Sequence, residues 1–538
     1  MSCMLSTKIF LRLNSTQSNC KKLGYFITTP IFYVNASPHI GHLYSALIAD
    51  AAYRFNYLLG KNCSIFSTGT DEHGLKIQQA ANNNKIELSK YCDKIANEYE
   101  HLFKKFDIDY THFIRTTSEE HIAAVQHFWK VLESRGNIFK ANYTGWYCTA
   151  DESFLSETQL KTITVSDGSQ VKVSAESGRP VEWTDEINFK FKLSKYQDDL
   201  LHWLKDEKVV QPAKFHKLLL SWVKDGELLQ DVSISRPSHR VHWAVPVPAS
   251  EDQSVYVWLD ALVNYLTAVG YPESSLWPPN CQVLGKDILK FHGVYWPAFL
   301  IASGLQPPSN LLVHSHWTVN GEKMSKSQGN VVSPVQAAKT FTESGLRYFL
   351  LREGTNHSDS NYSEIKVMRL LNAELADTLG NLLNRCTGTT VNVQQYFPQF
   401  DVQYCQPDAK GLLLALDSLS DEVADHFKQF NFYKGVDVII STLREANRFF
   451  EISQPWKLCK SPDSEHHLAC VLHLTMETLR MSSIALQPIV PQIAKLLLDK
   501  LQIPHSERSW EFTKRQTNDK IRFLNSDKVM LFKKILNK

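Results

Sequence analysis

Apolar residues recur along the chain with different spacings, and each spacing marks a different element. Tyr25-Phe26-Ile27-Thr28-Thr29 is an unbroken aromatic and β-branched run, as a buried strand should be, and Leu43, Leu47, Ala51, Tyr53 and Leu58 then recur near helical spacing. Cys63 to Thr68 reads as a second short strand, closed by Gly69-Thr70-Asp71-Glu72-His73-Gly74 and followed by a helix rich in Gln and Ala. This strand–helix alternation, from Leu23 to about Lys140, predicts a parallel sheet with ligands at the carboxyl ends of its strands. From residue 141 the text changes to short alternating strands with turns at Gly168 and Gly178, which reads as an insertion between two halves of one nucleotide-type fold. The second half resumes near Ser254-Val255-Tyr256-Val257 and continues through Gln282-Val283-Leu284-Gly285 and Asn310-Leu311-Leu312-Val313. After Val335 strands fade. Met368, Leu371, Leu375, Leu379, Leu382 and Leu383 repeat at helical spacing, and similar patterns begin at Leu412, Tyr433 and His466, predicting an α-helical bundle. The expected fold class is therefore α/β, a Rossmann-like parallel sheet split by an insertion, followed by an all-α region. The expected spans are 23–140 and 246–335 for the two halves, 141–245 for the insertion, 336–365 for a linking stem and 366–538 for the helices.

Candidate chemistry sits where these elements meet. Ser37-Pro38-His39-Ile40-Gly41-His42 occupies the turn between the first strand and the first helix. Such a turn aims free backbone N–H groups and the positive end of the helix dipole at a ligand, which suits a phosphate. His39 and His42 fall on one side of it, and Gly41 leaves room for a ligand near the backbone. Taken alone, two histidines in a Gly/Pro turn are equally at home as surface residues. Far downstream, Gly321-Glu322-Lys323-Met324-Ser325-Lys326-Ser327-Gln328-Gly329-Asn330 places two lysines and two hydroxyls in one loop, the groups a clamp on departing pyrophosphate needs. Asp71 falls at the ligand edge of the sheet, where it could hold an ammonium or simply cap a helix. Asp287 follows Gly285 at another strand end, where a ribose could bind.

Bulk composition narrows the class. With 538 residues, 43% apolar and 21% charged, the chain suits several globular domains, and a net charge of +2 is too small to identify a nucleic-acid binder. Ten cysteines without a C-x-x-C pair argue against a disulfide scaffold and a four-cysteine zinc site. Lys8, Arg12, Lys21 and Lys22 precede the first acidic residue, Asp50, and the hydroxyl-rich stretch 1–22 reads as a mitochondrial transit peptide. No run approaches the ~18 to 20 apolar residues of a membrane span, so the mature protein is expected to be soluble, with no membrane partner.

Together and in this order, the histidine turn and the lysine loop resemble the HIGH and KMSKS signatures of class I aminoacyl-tRNA synthetases. The resemblance narrows to the methionyl-tRNA synthetases, in their mitochondrial form, through Ile31-Phe32-Tyr33-Val34-Asn35, Gly69 to Gly74 and Tyr256-Val257-Trp258-Leu259-Asp260-Ala261. Phe291-His292 with Trp296-Pro297-Ala298, and Asn381 with Arg385 ahead of Trp456, add to it. It implies catalytic roles for His39, His42, Lys323 and Lys326, and an ATP site that adds Gly41, Gly285 and Asp287. The methionine pocket it implies comprises Tyr33, Asp71, Trp258, Ala261, Tyr265, Ile288 and His292, with backbone contacts from Ile31. Asn381, Arg385 and Trp456 would meet the CAU anticodon of tRNA(Met). Trp258, Tyr265 and Trp456 are also plausible core residues on their own evidence, and the role of Arg236, which matches a family position near the active site, is left open. ATP with Mg2+ is the expected cosubstrate, and the mitochondrial matrix the expected compartment. Two departures stand out. Many relatives carry zinc knuckles in the insertion, whereas Cys148 is followed at ligand spacing by Asp151, so no structural zinc is expected. No added domain follows the bundle, which favours a monomer.

Synthetases for Leu, Ile and Val carry a large editing domain between the signatures. The 281 positions separating His42 from Lys323 must hold half the nucleotide fold as well as the insertion, leaving about a hundred residues, too few for editing. A cysteine enzyme would need zinc ligands that are absent. The alternative from another class is a catalytically inactive tRNA-binding paralogue, against which the intact His39, His42, Lys323 and Lys326 argue.

Overall fold

A computed structural model describes residues 24–148, 153–155, 157–164, 169–175, 177–226, 228–273, 276–324, 329–516 and 521–536, with the main chain alone at Tyr143, Ser153 and Lys323. The stretch read as a transit peptide, Asp151 and Lys326 lie outside the described residues.

Seven parallel strands form the central sheet: β1 (Phe26–Thr28), β2 (Phe32–Tyr33), β3 (Ile65–Asp71), β4 (His112–Arg115), β5 (Val210–Gln211), β6 (Cys281–Gly285) and β7 (Leu311–His314). Their order is β5-β7-β6-β1-β3-β2, with β4 also on β3. Ser67 pairs with both Thr28 and His112, and Thr70 with both Phe32 and Arg115. β1 and β2 are therefore two pieces of one interrupted strand on the same side of β3, with β4 on the other. The interruption falls at Thr29-Pro30-Ile31, where Pro30 has no N–H to continue the ladder. Helix α1 (Ile40–Leu58) leaves this edge and packs across β1, β3 and β6.

Two local expectations change in the structure. Gly69, Thr70 and Asp71, read as a closing turn, instead extend β3, because Gly69 pairs against Ile114 so closely that a Cβ would lie 1.9 Å from the Ile114 carbonyl oxygen. Asp71 is thus the last residue of a strand, and Gly74 takes the N-cap of helix α2 (Leu75–Asn84). Likewise, Ser250–Val255 joins a small antiparallel sheet with Ser235–Pro237 and Pro246–Val247 rather than the central one, and helix α3 (Val257–Thr267) follows at once. Nearly every residue of α3 is buried, so its apolar text shows no face and imitates a strand.

The stretch 141–245 holds most of an antiparallel sheet, ordered Val232–Ser233, Glu182–Phe191, Ile138–Cys148, Ser153–Leu155, together with a hairpin of Leu160–Thr164 with Gln170–Ser174 and the helices Gln197–Trp203 and Ala213–Asp225. From the same stretch, however, Val210–Gln211 adds the edge strand β5 to the central sheet. The C-terminal region packs Lys410–Lys428, Phe432–Ser453 and Pro491–Lys500 around Glu465–Leu486, which is buried without a break from Cys470. One hydrophobic core runs from beneath the sheet (Ile27, Phe66) into this bundle (Leu443, Leu479). Leu371, Leu375, Leu379, Leu382 and Leu383 are buried as their spacing predicts, although Asn372–Gly380 winds as a π-helix. The last described segment turns back along the bundle. Arg522–Phe523 pairs with Tyr396–Phe397, Phe532 packs beside Gly345, Ile535 exchanges two hydrogen bonds with Asn372, and Lys534 reaches Asp377 at 2.8 Å.

Candidate active site

His39 is the N-cap of α1, and its ring folds back so that Gly41 N–H donates to Nδ1 over 3.1 Å. His42 reciprocates: the His39 N–H donates to its Nδ1 (3.2 Å), and Tyr99 Oη lies 3.0 Å from the same nitrogen. The two rings stack with centroids 3.7 Å apart. A nitrogen that accepts from a backbone N–H carries a lone pair, so the hydrogen of each neutral imidazole resides on Nε2. The helix start is therefore not a cluster of free backbone donors, as the sequence suggested. The Ile40 and Gly41 N–H groups are taken by Val332 O and His39, so donors to a ligand at this turn must come from side chains. Gly41 is required by this fold of the ring, since a Cβ would sit 2.9 Å from the His39 ring.

This turn opens into a cavity of about 360 Å³ at the carboxyl ends of β1, β2, β3 and β6. Apart from Lys323, described by its main chain alone, every described residue expected at the methionine and ATP subsites lines it: Ile31, Tyr33, His39, Gly41, His42, Asp71, Trp258, Ala261, Tyr265, Gly285, Asp287, Ile288 and His292. The interrupted strand explains the meeting of Ile31, Tyr33 and Asp71, because Tyr33 pairs with Asp71 directly across β2 and β3. Trp258, Ala261 and Tyr265 come from one side of α3, while His292 belongs to a five-residue π-helical turn, Phe291–Tyr295. The Trp258 ring lies flat on Phe291, centroids 3.6 Å apart. His292 donates from Nδ1 to Ile288 O (3.0 Å), leaving Nε2 to accept from Tyr265 Oη (2.7 Å). Burial pushes its imidazole down to about 4, so the ring is neutral.

Asp287 accepts from His316 Nε2 (3.1 Å), and Lys286 pairs with Asp359 (2.8 Å). His314, at the end of β7, contacts Ser45 Oγ at 2.7 Å and is likewise held near 4 by burial. Tyr99, Ser45, His314 and His316 had no signal in the sequence beyond ordinary helix or strand text. Lys323 lies in a two-residue strand opposite Thr318, and the next residue, Met324, lines the cavity and approaches Gly41. The base of the lysine loop thus stands over the histidine turn.

A family model described as tRNA synthetases class I (M) matches residues 25–387. The human mitochondrial methionine–tRNA ligase is 46% identical over 518 residues, covering 92% of this chain and 87% of that protein. The Xenopus laevis counterpart is 47% identical over 492 residues, covering 90% and 87%. The chain belongs to the class I methionyl-tRNA synthetases. Among solved structures, the Mycobacterium tuberculosis methionyl-tRNA synthetase in complex with methionyl-adenylate matches this synthetase with a TM-score of 0.89 and 35% identity, over 94% of this chain and 99% of that one. The free form of the same bacterial enzyme gives 0.82 and 32%, over 96% and 98%.

The remaining sequence-derived positions of the synthetase lie elsewhere. Asn381 and Arg385 stand one turn apart on Asn381–Thr387, with Asn381 exposed. The Arg385 guanidinium sits 4.8 Å from the Phe450 ring and 5.8 Å from the half-buried Trp456 ring, and pairs with Glu451 at 2.5 Å. Arg236 does not enter the main cavity. It is buried above the Tyr256 ring (4.3 Å) and lines a separate cavity of about 170 Å³ together with Phe291. Cys148 is buried at the end of its strand, and among the described residues no three His, Cys, Asp or Glu side chains gather as a metal cage.

Proposed function

We propose that this chain is a methionine–tRNA ligase that condenses methionine with ATP to methionyl-adenylate and then transfers the methionyl group to tRNA(Met). The observation that carries the reading is one chamber lined both by the histidine turn with Gly285 and Asp287 and by the wall of Trp258, Ala261, Tyr265 and His292, with Asp71 beside Tyr33.

In this reading Asp71 takes the methionine ammonium. The thioether lies among Trp258, Tyr265 and His292, an aromatic and uncharged setting that favours polarizable sulfur. Asp287 binds the ATP ribose next to Gly285, where a Cβ would meet the Asp287 carboxylate at 2.7 Å. The methionine carboxylate oxygen attacks the α-phosphorus. A new P–O bond forms as the bond to the β-phosphate oxygen breaks, and pyrophosphate leaves with the electron pair. His39 and His42 donate Nε2–H to the α-phosphate as negative charge accumulates, and Lys323 and Lys326 neutralise the pyrophosphate. Catalysis here is positioning and electrostatics rather than protein nucleophilic chemistry. ATP enters as its Mg2+ complex. The described residues supply no cage of three or more His, Cys, Asp or Glu side chains for the ion. Asn381, Arg385 and Trp456 read the CAU anticodon. The mitochondrial names of the relatives support a mitochondrial location, which we assign to the matrix, and the enzyme acts as a monomer.

Amino-acid-dependent ATP–pyrophosphate exchange across all twenty amino acids tests this. Methionine alone should support rapid exchange. A faster response to another amino acid refutes the substrate, and no exchange with any favours the inactive tRNA-binding paralogue. Replacing Lys326 by Gln should slow exchange by ~10²–10³ with methionine binding near normal.

A further inference from the structure

Asp260 lies on α3 between Trp258 and Ala261, yet it is completely buried and faces away from the cavity those two residues line. Its Oδ2 accepts from His73 Nδ1 (2.7 Å) and its Oδ1 from His121 Nε2 (2.8 Å). The other His121 nitrogen meets Thr267 Oγ1, on the last turn of α3, at 2.9 Å. Burial opposes the charge, but the two histidines overcome it and hold the carboxyl at about 2, so Asp260 is ionised and both imidazoles donate.

His73 lies two residues beyond Asp71, and the segment between them is fastened on its far side. The Glu72 carboxylate accepts from Arg115 (2.7 and 2.9 Å), Thr70 (2.7 Å) and Thr117 (2.5 Å), and its main-chain carbonyl accepts from Trp243 Nε1 (2.7 Å). Gly74 N–H donates to Trp243 O (3.0 Å). His73 is thus the link from a rigid Asp71 turn to the helix that carries Trp258, Ala261 and Tyr265.

We propose that Asp260, with His73, is a positioning residue for amino-acid selection. The pair fixes the distance between the cavity wall that holds the ammonium and the wall that holds the side chain. A buried charge of this kind is a costly way to join two elements when apolar packing serves as well, and it has a fixed length and direction that apolar packing lacks. Both reference points of the amino acid, its ammonium and its thioether, are set from opposite ends of this link. Adenosine and phosphate contacts, on the histidine turn and the Gly285 end, are not. The inference rests on the reading of the cavity as a methionine site.

The test compares Michaelis constants in pyrophosphate exchange for Asp260→Asn, His73→Asn and His73→Leu. Asp260→Asn and His73→Leu should raise KM for methionine about 10-fold or more while changing KM for ATP by less than about 3-fold, since misplacement of the order of 1 Å costs up to ~10²-fold. Both should also narrow the preference for methionine over ethionine, which is one methylene longer. His73→Asn, whose amide nitrogen replaces Nδ1, should return most of the loss. Glu477→Gln, which breaks the buried Glu477–Arg480 pair of the bundle (2.6 Å), serves as the stability control and should leave both constants unchanged. Equal changes in the two constants, or a loss of melting temperature like that of Glu477→Gln with both constants intact, overturn the proposal. Asp71→Asn separates the levels: no effect on methionine KM defeats the methionine-site reading itself, whereas a large effect there with none at Asp260 or His73 defeats only the positioning role.

Discussion

Arg347 donates to Asp50 over 2.6 Å, with both side chains almost sealed from solvent. The same guanidinium donates to the carbonyls of Phe106 (2.8 Å) and Ile489 (3.1 Å). Asp50 belongs to α1, which begins at the histidine turn, and Ile489 follows the central helix of the bundle. One arginine therefore joins the helix behind the reacting groups to the bundle that carries Trp456.

The two sides of this pair are not equivalent, because Asp50 also accepts from Arg54 (2.9 Å) and from the Asp109 N–H (2.8 Å). Asp50→Asn leaves the sealed Arg347 guanidinium without a carboxylate and should cost ~3–5 kcal/mol of unfolding free energy, whereas Arg347→Met leaves Asp50 paired with Arg54 and should cost less. Urea unfolding of the two variants decides. Equal losses would mean that Arg54 does not compensate the Asp50 charge.

Gly41→Ala should slow adenylate formation without destabilising the fold, because alanine suits a helix while its Cβ would press on the His39 ring at 2.9 Å. A loss of ~10-fold or more in exchange is expected for a displaced reacting group. An unchanged rate would show that the ring position is immaterial.

Stability should fall with acidity between about pH 6.5 and 4. His292 and His314 are pushed by burial from 6.5 to about 4, so across this window the unfolded chain binds protons that the native state does not. Each contributes stability fully present above pH 6.5, on the order of 3 kcal/mol, which is lost as pH falls through the folded value. Unfolding midpoints at pH 7.5 and 5 should differ less for His314→Asn than for wild type. An identical difference would remove His314 from this explanation.

Trp456→Ala should weaken aminoacylation at limiting tRNA roughly 5- to 150-fold, the loss of ~1–3 kcal/mol of base stacking, with pyrophosphate exchange intact. Trp456 is half-buried, so part of its ring is available to a base and part packs against the bundle. Parallel loss of both activities together with a lower melting temperature would make it a core residue instead.

The purified protein should contain well under one zinc per chain and should keep its melting temperature in chelator. Stoichiometric zinc would mean that ligands near Cys148 had been misread.

The parallel sheet and the helical region were legible because local patterns announce them, strand text before His39 and helical spacing after Val335, whereas Gly69 to Asp71 read as a turn and belong to β3, and the methionine-pocket positions came from the family resemblance. What escaped depends on residues brought together from far apart. Tyr99 reaches His42, Ser45 reaches His314, and Asp260 reaches His73, and nothing in the neighbourhood of either partner signals the other. Direction was also hidden. The pattern located His39 and His42 but not the inward turn of their Nδ1 atoms, which reassigns the donors from backbone to side chain. The helix Val257–Thr267 was obscured for the opposite reason, since burial on all sides erases the periodicity that distinguishes helix from strand.

The returning C-terminal segment sets an order of events during synthesis. Gly345 and Asn372 leave the ribosome long before Phe532 and Ile535, the residues that cover and bond them. The sheet and most of the bundle can form as they emerge, but the residues that Phe532 and Ile535 cover stay open until those two have emerged. A chain released early would therefore resemble the finished enzyme in most of its secondary structure and present an open apolar seam to chaperones and proteases.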